Sequence, residues 1–300
     1  MMDEILSLLP AHFHSPFTAS SDFHRAEEIR LRIHQPIEIV TPGESVLLKS
    51  ENGQSCVMTE EDMEYTLNQL SEFSLYAFHE EMKQGYITTK GGHRVGIGGQ
   101  VVHEEGRVSA IKHVRYFNIR KAADHKGAAR PFIKRLLDDS CGHTLIIGTP
   151  RAGKTTFLRD IARLASEGVP EMNIAPKKVG IVDERSELAA CYEGIPSFDV
   201  GPRTDVLDAC PKAEGMMMMI RSMSPEILIV DEIGRKEDAT AIMEAVHAGV
   251  TVFCSAHGGS LSEVKKRPMI RNMINASVFK KTMFLQRTKG QIHVNMETLI

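Results

Sequence analysis

The sequence predicts an α/β protein: a mostly parallel sheet with helices on both faces over residues 121–300, preceded by a smaller α+β domain over residues 1–120. Three observations carry this. In the second part, short apolar runs alternate with amphipathic segments of helical period, the pattern of strands joined by crossover helices. In the first part, apolar and polar residues alternate with period two, the pattern of half-buried antiparallel strands. Finally, GTPRAGKT, Gly148 to Thr155, stands between a strand and a helix of the second part. Its spacing is that of a phosphate-binding loop.

Ile5, Leu6, Leu8 and Leu9 make a short amphipathic helix ended by Pro10, and a polar loop is expected from there to about residue 25. From Ala26 to Val40 the chain alternates, with Ile29, Leu31 and Ile33 on one face and Arg30 and Arg32 on the other. Pro36 interrupts the run and Pro42-Gly43 turns it. Thr59 is a natural N-cap, followed by the acids Glu60, Glu61 and Asp62. The helix it starts is expected to run through Met63, Leu67, Leu70, Phe73, Leu75, Tyr76, Phe78 and Met82 to Gln84, with Gly85 as its stop. The glycine-rich stretch Tyr86 to Val108 reads as a strand pair with turns at Gly91-Gly92 and Glu105-Gly106, and Ile111 to Arg120 as a further strand.

Ala122 to Cys141 reads as a connector carrying a helix from Phe132 to Leu137. Strands are then expected at Leu145–Ile147, Val179–Val182, Ile227–Val230 and Thr251–Ser255, with helices at Thr156–Ala165, Ala213–Met223 and Glu237–Ala248. The tail from Met283 to Met296 reads as a hairpin around Lys289-Gly290. The run Met216 to Met219 reads as core filler on a helix.

Composition narrows the function classes. The net charge of -3 argues against a chain that binds polyanions over its whole surface. The five cysteines, Cys56, Cys141, Cys191, Cys210 and Cys254, are scattered and form no CxxC pair. This points to free thiols in a reducing compartment, not to a disulfide framework or a zinc site. No apolar run approaches the ~20 residues of a membrane-spanning helix. The start, MMDEILSLLPAHF, has no basic region of the kind that opens a secretory signal. Work at a membrane would therefore require a partner to hold the protein there.

The chemistry gathers where the strands end. Gly148 and Gly153 allow the loop to turn tightly and aim backbone N–H groups at an anion. Thr149, Pro150, Arg151, Ala152 and Thr156 complete the cradle. Lys154 sets a compact positive charge near the β- and γ-phosphates of ATP, and Thr155 offers a hydroxyl to Mg²⁺. The positive end of the next helix faces the same phosphates. The run ILIVDE delivers two acids. Asp231 suits the Mg²⁺ shell, and Glu232 suits a base that orients and deprotonates the attacking water. Asp183, Glu184 and Glu187 follow another strand, where they either support the metal or form a solvated acidic loop. His257 in SAHG is placed to sense the terminal phosphate, or serves as a structural histidine. Phosphoryl transfer also draws on extra positive charge, for which Arg221, Arg94, Arg115 and Arg120 are candidates.

Taken together, GTPRAGKTT, VDERSE, IRSMSPEILIVDEIG and SAHG, in that order and spacing, resemble the secretion-ATPase superfamily of the RecA-like fold. EIRLRI, GHRVGIGGQVV, NIRKA, LRDIAR and DVGPRTDVLDACPKAEG extend the resemblance over nearly the whole chain, to the stage III sporulation protein AA family of endospore-forming bacteria. The resemblance implies a ring-forming, hexameric, Mg²⁺-dependent ATPase at the cytosolic face of the mother-cell membrane, bound to a membrane protein of the channel complex between mother cell and forespore. The slightly negative charge and the lack of a basic, aromatic-interleaved module argue against a stable nucleic-acid partner. The resemblance assigns nucleotide and hydrolysis roles to Lys154, Thr155, Asp231 and Glu232, the acidic-box position to Asp183, the histidine-box position to His257 and the arginine before the second acidic motif to Arg221. Arg120, in NIRKA, matches the arginines of N-terminal domains that reach the nucleotide. Two positions depart from the family pattern. Arg151 stands where relatives often carry glycine, so its side chain must point out of the loop. The acidic box reads Asp-Glu where many motors read Glu-Asp, which leaves open whether Asp183 or Glu184 faces the metal. Two other functions remain open on the residues alone: a RecA-type ATPase stimulated by nucleic acid, and a nucleotide-gated scaffold with little turnover.

Overall fold

The computed structural model describes residues 2–72, 83, 85–104, 106–137, 142–288 and 291–299. The chain divides into two compact units, Met1–Ala123 and Asp124–Ile300.

The first unit opens with three short helices, α1 (Met2–Ser7), α2 (His14–Ala19) and α3 (Ser21–Arg25), with a 3-10 turn at Ala11–Phe13. The polar loop expected after Pro10 is thus largely helical. Its aromatic residues explain this: Phe13, Phe17 and Phe23 are buried, and the helical turns bring them to one side. Strands β1 (Glu28–Arg32), β2 (Glu38–Thr41) and β3 (Glu44–Leu47) follow. The turn at Pro42-Gly43 pairs β2 with β3, a strand its composition does not announce. Helix α4 (Glu60–Leu70) is capped as expected, with Thr59 and Asp62 forming a reciprocal capping box. It stops at Leu70, earlier than expected, and Glu72 takes a left-handed backbone. The expected continuation through Phe73, Leu75, Tyr76, Phe78, Met82 and Gln84 lies outside the described residues.

Strands β4 (Tyr86–Thr88), β5 (Arg94–Glu104) and β6 (Arg107–Arg120) complete the unit. What reads as two pieces around Ile111 is one long strand, β6, paired with β5 across two register shifts. Glu105, of the expected Glu105-Gly106 turn, is outside the described residues. The six strands form an antiparallel sheet in the order β3-β2-β1-β6-β5-β4. Ile29, Leu31, Phe117, Ile119, Val95 and Ile97 share one core with the three phenylalanines.

The second unit carries α5 (Ile133–Leu137), β7 (Thr144–Gly148), α6 (Lys154–Glu167), β8 (Val179–Asp183), β9 (Cys191–Tyr192), β10 (Ile195–Pro196), β11 (Thr204–Asp208), α7 (Lys212–Ser222), β12 (Ile227–Val230), α8 (Lys236–His247), β13 (Thr251–His257), α9 (Leu261–Val264), α10 (Pro268–Asn275), β14 (Lys281–Thr288) and β15 (Gln291–Thr298). Seven strands make one sheet in the order β11-β8-β12-β13-β7-β14-β15. All neighbouring pairs are parallel except β14–β15. The tail hairpin is therefore part of the main sheet, because β14 pairs parallel to β7. Lys289 and Gly290, its expected turn, lie outside the described residues.

Central strands are buried on both faces, so their apolar residues supply two cores. Ile146, Ile181, Ile229 and Phe253 pack with Phe157, Leu158 and Ile161 of α6. Leu145, Ile147, Leu228 and Val230 pack on the other side with Met216 and Met219 of α7 and Ile242 of α8. The methionine run is only half core filler: Met216 and Met219 are buried, while Met218 is 53% exposed. β9, β10, β11, α9 and α10 have no expected counterpart in the sequence reading.

Candidate functional site

Gly148 closes β7, and its carbonyl accepts the Gly258 N–H at 3.2 Å. A Cβ there would lie 2.9 Å from the Leu285 carbonyl oxygen, so only glycine fits against β14. Gly153 caps α6 with φ +93°, and a Cβ on it would approach Ile292 Cδ1 to 2.6 Å. Arg151 also takes a left-handed backbone, φ +61°, and its side chain is exposed. The expectation that it points outward agrees with that exposure. Ala152 is buried, and its N–H turns back to the Thr149 carbonyl at 3.2 Å.

Lys154 is buried in the first turn of α6. Its Nζ donates to the carbonyls of Gly148 (3.0 Å) and Thr149 (3.2 Å). The ammonium is thus held by the loop it belongs to. Thr155 Oγ1 donates to Asp231 Oδ2 at 2.5 Å. Asp231 and Glu232 directly follow β12, the strand that lies between β8 and β13. Ser255 of β13 is fully buried and joins the two acids. Its hydroxyl donates to Asp231 Oδ1 and accepts the Glu232 N–H at 2.9 Å. The Glu232 N–H also reaches Asp231 Oδ1 at 3.0 Å. Glu232 has φ +51°, a backbone that costs a side-chain-bearing residue about 1–2 kcal/mol and that these bonds offset. Its carboxylate accepts from Arg185 Nη1 at 3.3 Å. His257, partly buried, sits in register beside Gly148.

Asp183, Glu184, Arg185, Lys212, Asp231 and Glu232 line one cleft. Asp183 is buried and accepts three backbone N–H groups, from Glu187 (3.0 Å), Leu188 (2.8 Å) and Ala189 (2.9 Å). Burial pushes its carboxyl up to about 6, against the pull of those hydrogen bonds. Glu184 pairs with Lys212 at the start of α7. Both acidic-box carboxylates are therefore engaged within the chain, Asp183 in shaping its own loop and Glu184 in a half-buried ion pair.

Arg221 lies in the last turn of α7, exposed. Helix α7 runs antiparallel to the strands. Near its start, a Cβ on Gly215 would meet Val182 at the end of β8; near its finish, Met219 and Pro225 crowd Gly180 near the beginning of β8. Arg221 thus lies toward the opposite end of the strands from Lys154 and Asp231. Arg120 and Arg94 belong to the first unit, as does Arg115. Arg120 is exposed at the end of β6, Arg94 stacks on Tyr86 with 3.6 Å to the ring centroid, and Arg115 faces Glu60 at 3.8 Å.

Ser255, Arg185 and Lys212 have no assignment in the sequence reading. Nor has Arg159 of α6, buried within the apolar stripe. Its Nε and Nη2 donate to the carbonyls of Leu188 (2.5 Å) and Glu187 (2.9 Å), and its guanidinium stacks on Phe198. Burial lowers its proton affinity, offset by Asp124, Asp183 and Asp231. It ties α6 to the loop that Asp183 shapes. An arginine inside an otherwise apolar helical stripe was the available signal.

A parallel sheet with a glycine-bearing loop after β7 and paired acids after β12, preceded by a separate antiparallel unit, defines a RecA-like α/β fold. Solved structures agree. The pilus retraction motor PilT with bound ADP superposes with a TM-score of 0.62 at 14% identity, over 92% of this chain and 79% of that one. The ATPase DotB of Legionella pneumophila gives 0.61 at 14% identity, over 92% and 77%. The family model described as sporulation stage III, protein AA, matches residues 2–296, and the chain belongs to that family. Stage III sporulation protein AA of Bacillus subtilis (strain 168) is 48% identical over 291 residues, 96% of this chain and 92% of that protein. The uncharacterized protein ycf45 of Cyanidium caldarium is 33% identical over 176 residues, 56% of this chain and 49% of that protein.

Proposed function

We propose that this protein is a secretion-type ATPase that hydrolyses ATP as part of the mother cell–forespore channel complex in endospore formation. The observation that carries the reading is the contact of Thr155 with Asp231 and the joint hold of Ser255 on Asp231 and Glu232. It unites the loop that would bind phosphate with the acids that would act on water.

In this reading the N–H groups of Gly148 to Thr156 cradle the phosphates, and the glycine positions leave the required space. Lys154 exchanges its two carbonyl partners for β- and γ-phosphate oxygens. Thr155 and Asp231 offer a hydroxyl and a carboxylate oxygen, hard donors that suit Mg²⁺. Bound there, the ion would neutralise charge on the phosphates. Glu232 orients the attacking water and takes its proton. His257, beside the loop, reads the terminal phosphate. Asp183 and Glu184 act indirectly, by holding the acidic loop. Arg221 lies toward the opposite end of the strands, so its contribution is to a neighbouring subunit in a hexamer. Arg120 is the corresponding candidate from the N-terminal unit. Among the described residues no helix is long and apolar enough to cross a membrane. Peripheral placement at the mother-cell face therefore rests on a membrane partner.

The test is ATP binding and turnover in Lys154→Ala and Glu232→Gln. Lys154→Ala is expected to lose nucleotide binding. Glu232→Gln is expected to bind ATP like the wild type and to lose turnover by ~10²–10⁴-fold. Normal turnover in Glu232→Gln would sink the assignment of the base.

A further inference from the structure

Glu232 is held in two different ways. Its backbone is fixed: Ser255, fully buried, and Asp231 both accept its N–H, and its φ is left-handed. Its carboxylate is exposed at the surface and is gripped from one side by Arg185, Nη1 to Oε2 at 3.3 Å. The strand order shows which side. Arg185 follows β8, and β8 flanks β12 on the side away from β13 and β7. The phosphate loop follows β7, two strands away in the other direction. Arg185 therefore draws the carboxylate away from the place where a γ-phosphate and its attacking water would lie.

We infer that Arg185 is a positioning residue that parks the Glu232 carboxylate in a resting place and releases it when a terminal phosphate arrives. This rests on the hydrolysis reading above. The chemistry suits the task. The pair is exposed, with side chains 61% and 43% accessible, so it is weak and exchanges readily. A γ-phosphate competes with the Glu232 carboxylate for the Arg185 guanidinium, and that competition loosens the pair. The backbone anchor at Ser255 stays in place throughout. Only the side chain has to swing, and it swings from a fixed pivot. Lys212 already holds Glu184, so the neighbouring acid of the loop does not compete for Arg185.

Arg185→Ala is expected to raise kcat/KM for ATP about two- to fivefold, the size a weak surface pair can supply, because ATP no longer has to open the pair. Arg185→Lys keeps a cation at the position and is expected to stay near the wild-type value. Arg185→Ala with Glu232→Gln is expected to be inactive. A fall in kcat/KM, or equal values in Arg185→Ala and the wild type, overturns the parking role. A second readout is independent of turnover. In the nucleotide-free full-length protein, the Arg185 guanidinium NMR signals should be slowed and shifted relative to the Glu232→Gln variant, and a non-hydrolysable ATP analogue should shift the wild-type signals toward it. Identical signals in the two nucleotide-free proteins overturn the pair itself. If Arg185 signals respond as expected but neither wild type nor Arg185→Ala hydrolyses ATP, the pair stands and the hydrolysis reading falls.

Discussion

Asp183 shows how a residue named by its motif acquires its role from its surroundings. Its position after an apolar strand makes it a candidate either to support a metal or to belong to a solvated acidic loop. Its three backbone partners and its burial make it the keystone of the 184–189 loop. The energetic consequence is testable by pH. In the folded chain the carboxyl titrates at about 6, whereas an unfolded Asp titrates near its ordinary value of about 3.9. Between those values the folded state carries the extra proton. The group's stabilising contribution is therefore complete below about pH 4 and is lost as pH rises through about 6. Unfolding free energy of the wild type, relative to Asp183→Asn, should fall by about 3 kcal/mol between pH 4 and 7. Denaturant titrations across that range check it; a flat difference would remove the desolvated carboxyl from the account. Other residue-scale features were legible in the sequence, as Lys154, Thr155, Asp231 and Glu232 were, because each is named by its place in a short motif. Ser255 and Arg159 were not. A serine in a strand and an arginine in a helix acquire meaning only from the strand and loop that come to lie beside them.

At the scale of elements, local chemistry fixed starts better than stops. Thr59 was readable as a cap, and the box it forms with Asp62 is present, with the Asp62 N–H to Thr59 Oγ1 at 3.2 Å and the return bond at 2.9 Å. Thr59→Ala is expected to cost about 1 kcal/mol of stability. The drop would show as a lower urea midpoint with an unchanged slope; no change in midpoint would mean that the cap is dispensable. The stop at Leu70 was not readable, because apolar residues at helical spacing continue past it. The helices between Pro10 and Arg25 were missed for the opposite reason: a polar, serine-rich stretch masks Phe13, Phe17 and Phe23, which fold it into the core. The edge strand β11 was missed because Thr204 to Asp208 carries three polar residues in five. It is a strand because its backbone pairs with β8 from Thr204↔Val179 to Asp208↔Asp183.

At the scale of the whole molecule, the position of Arg221 bears on the assembly. In the proposed reading, Arg221, toward the opposite end of the strands from Lys154, serves a nucleotide in a neighbouring subunit. The ATPase rate per subunit is therefore expected to rise with protein concentration, and Arg221→Ala mixed into the wild type should depress the rate by more than its share. A rate per subunit independent of concentration would point to a site complete within one chain. Turnover that requires single-stranded nucleic acid would point to a translocase. The sequence by itself determined the class of fold, the alternation of strands and helices, and which residues form the glycine-bearing loop after β7 and the paired acids after β12. Those are encoded by periodicity and by short spacings that local backbone geometry must satisfy. Only the tertiary structure decided the order of the strands. That order places Ser255 under both acids and Arg185 on the far side of Glu232, while the direction of α7 carries Arg221 to the other end of the strands. The physical reason is that strand order is set by hydrogen bonds and packing between segments distant in sequence, and no local pattern records which strand becomes whose neighbour.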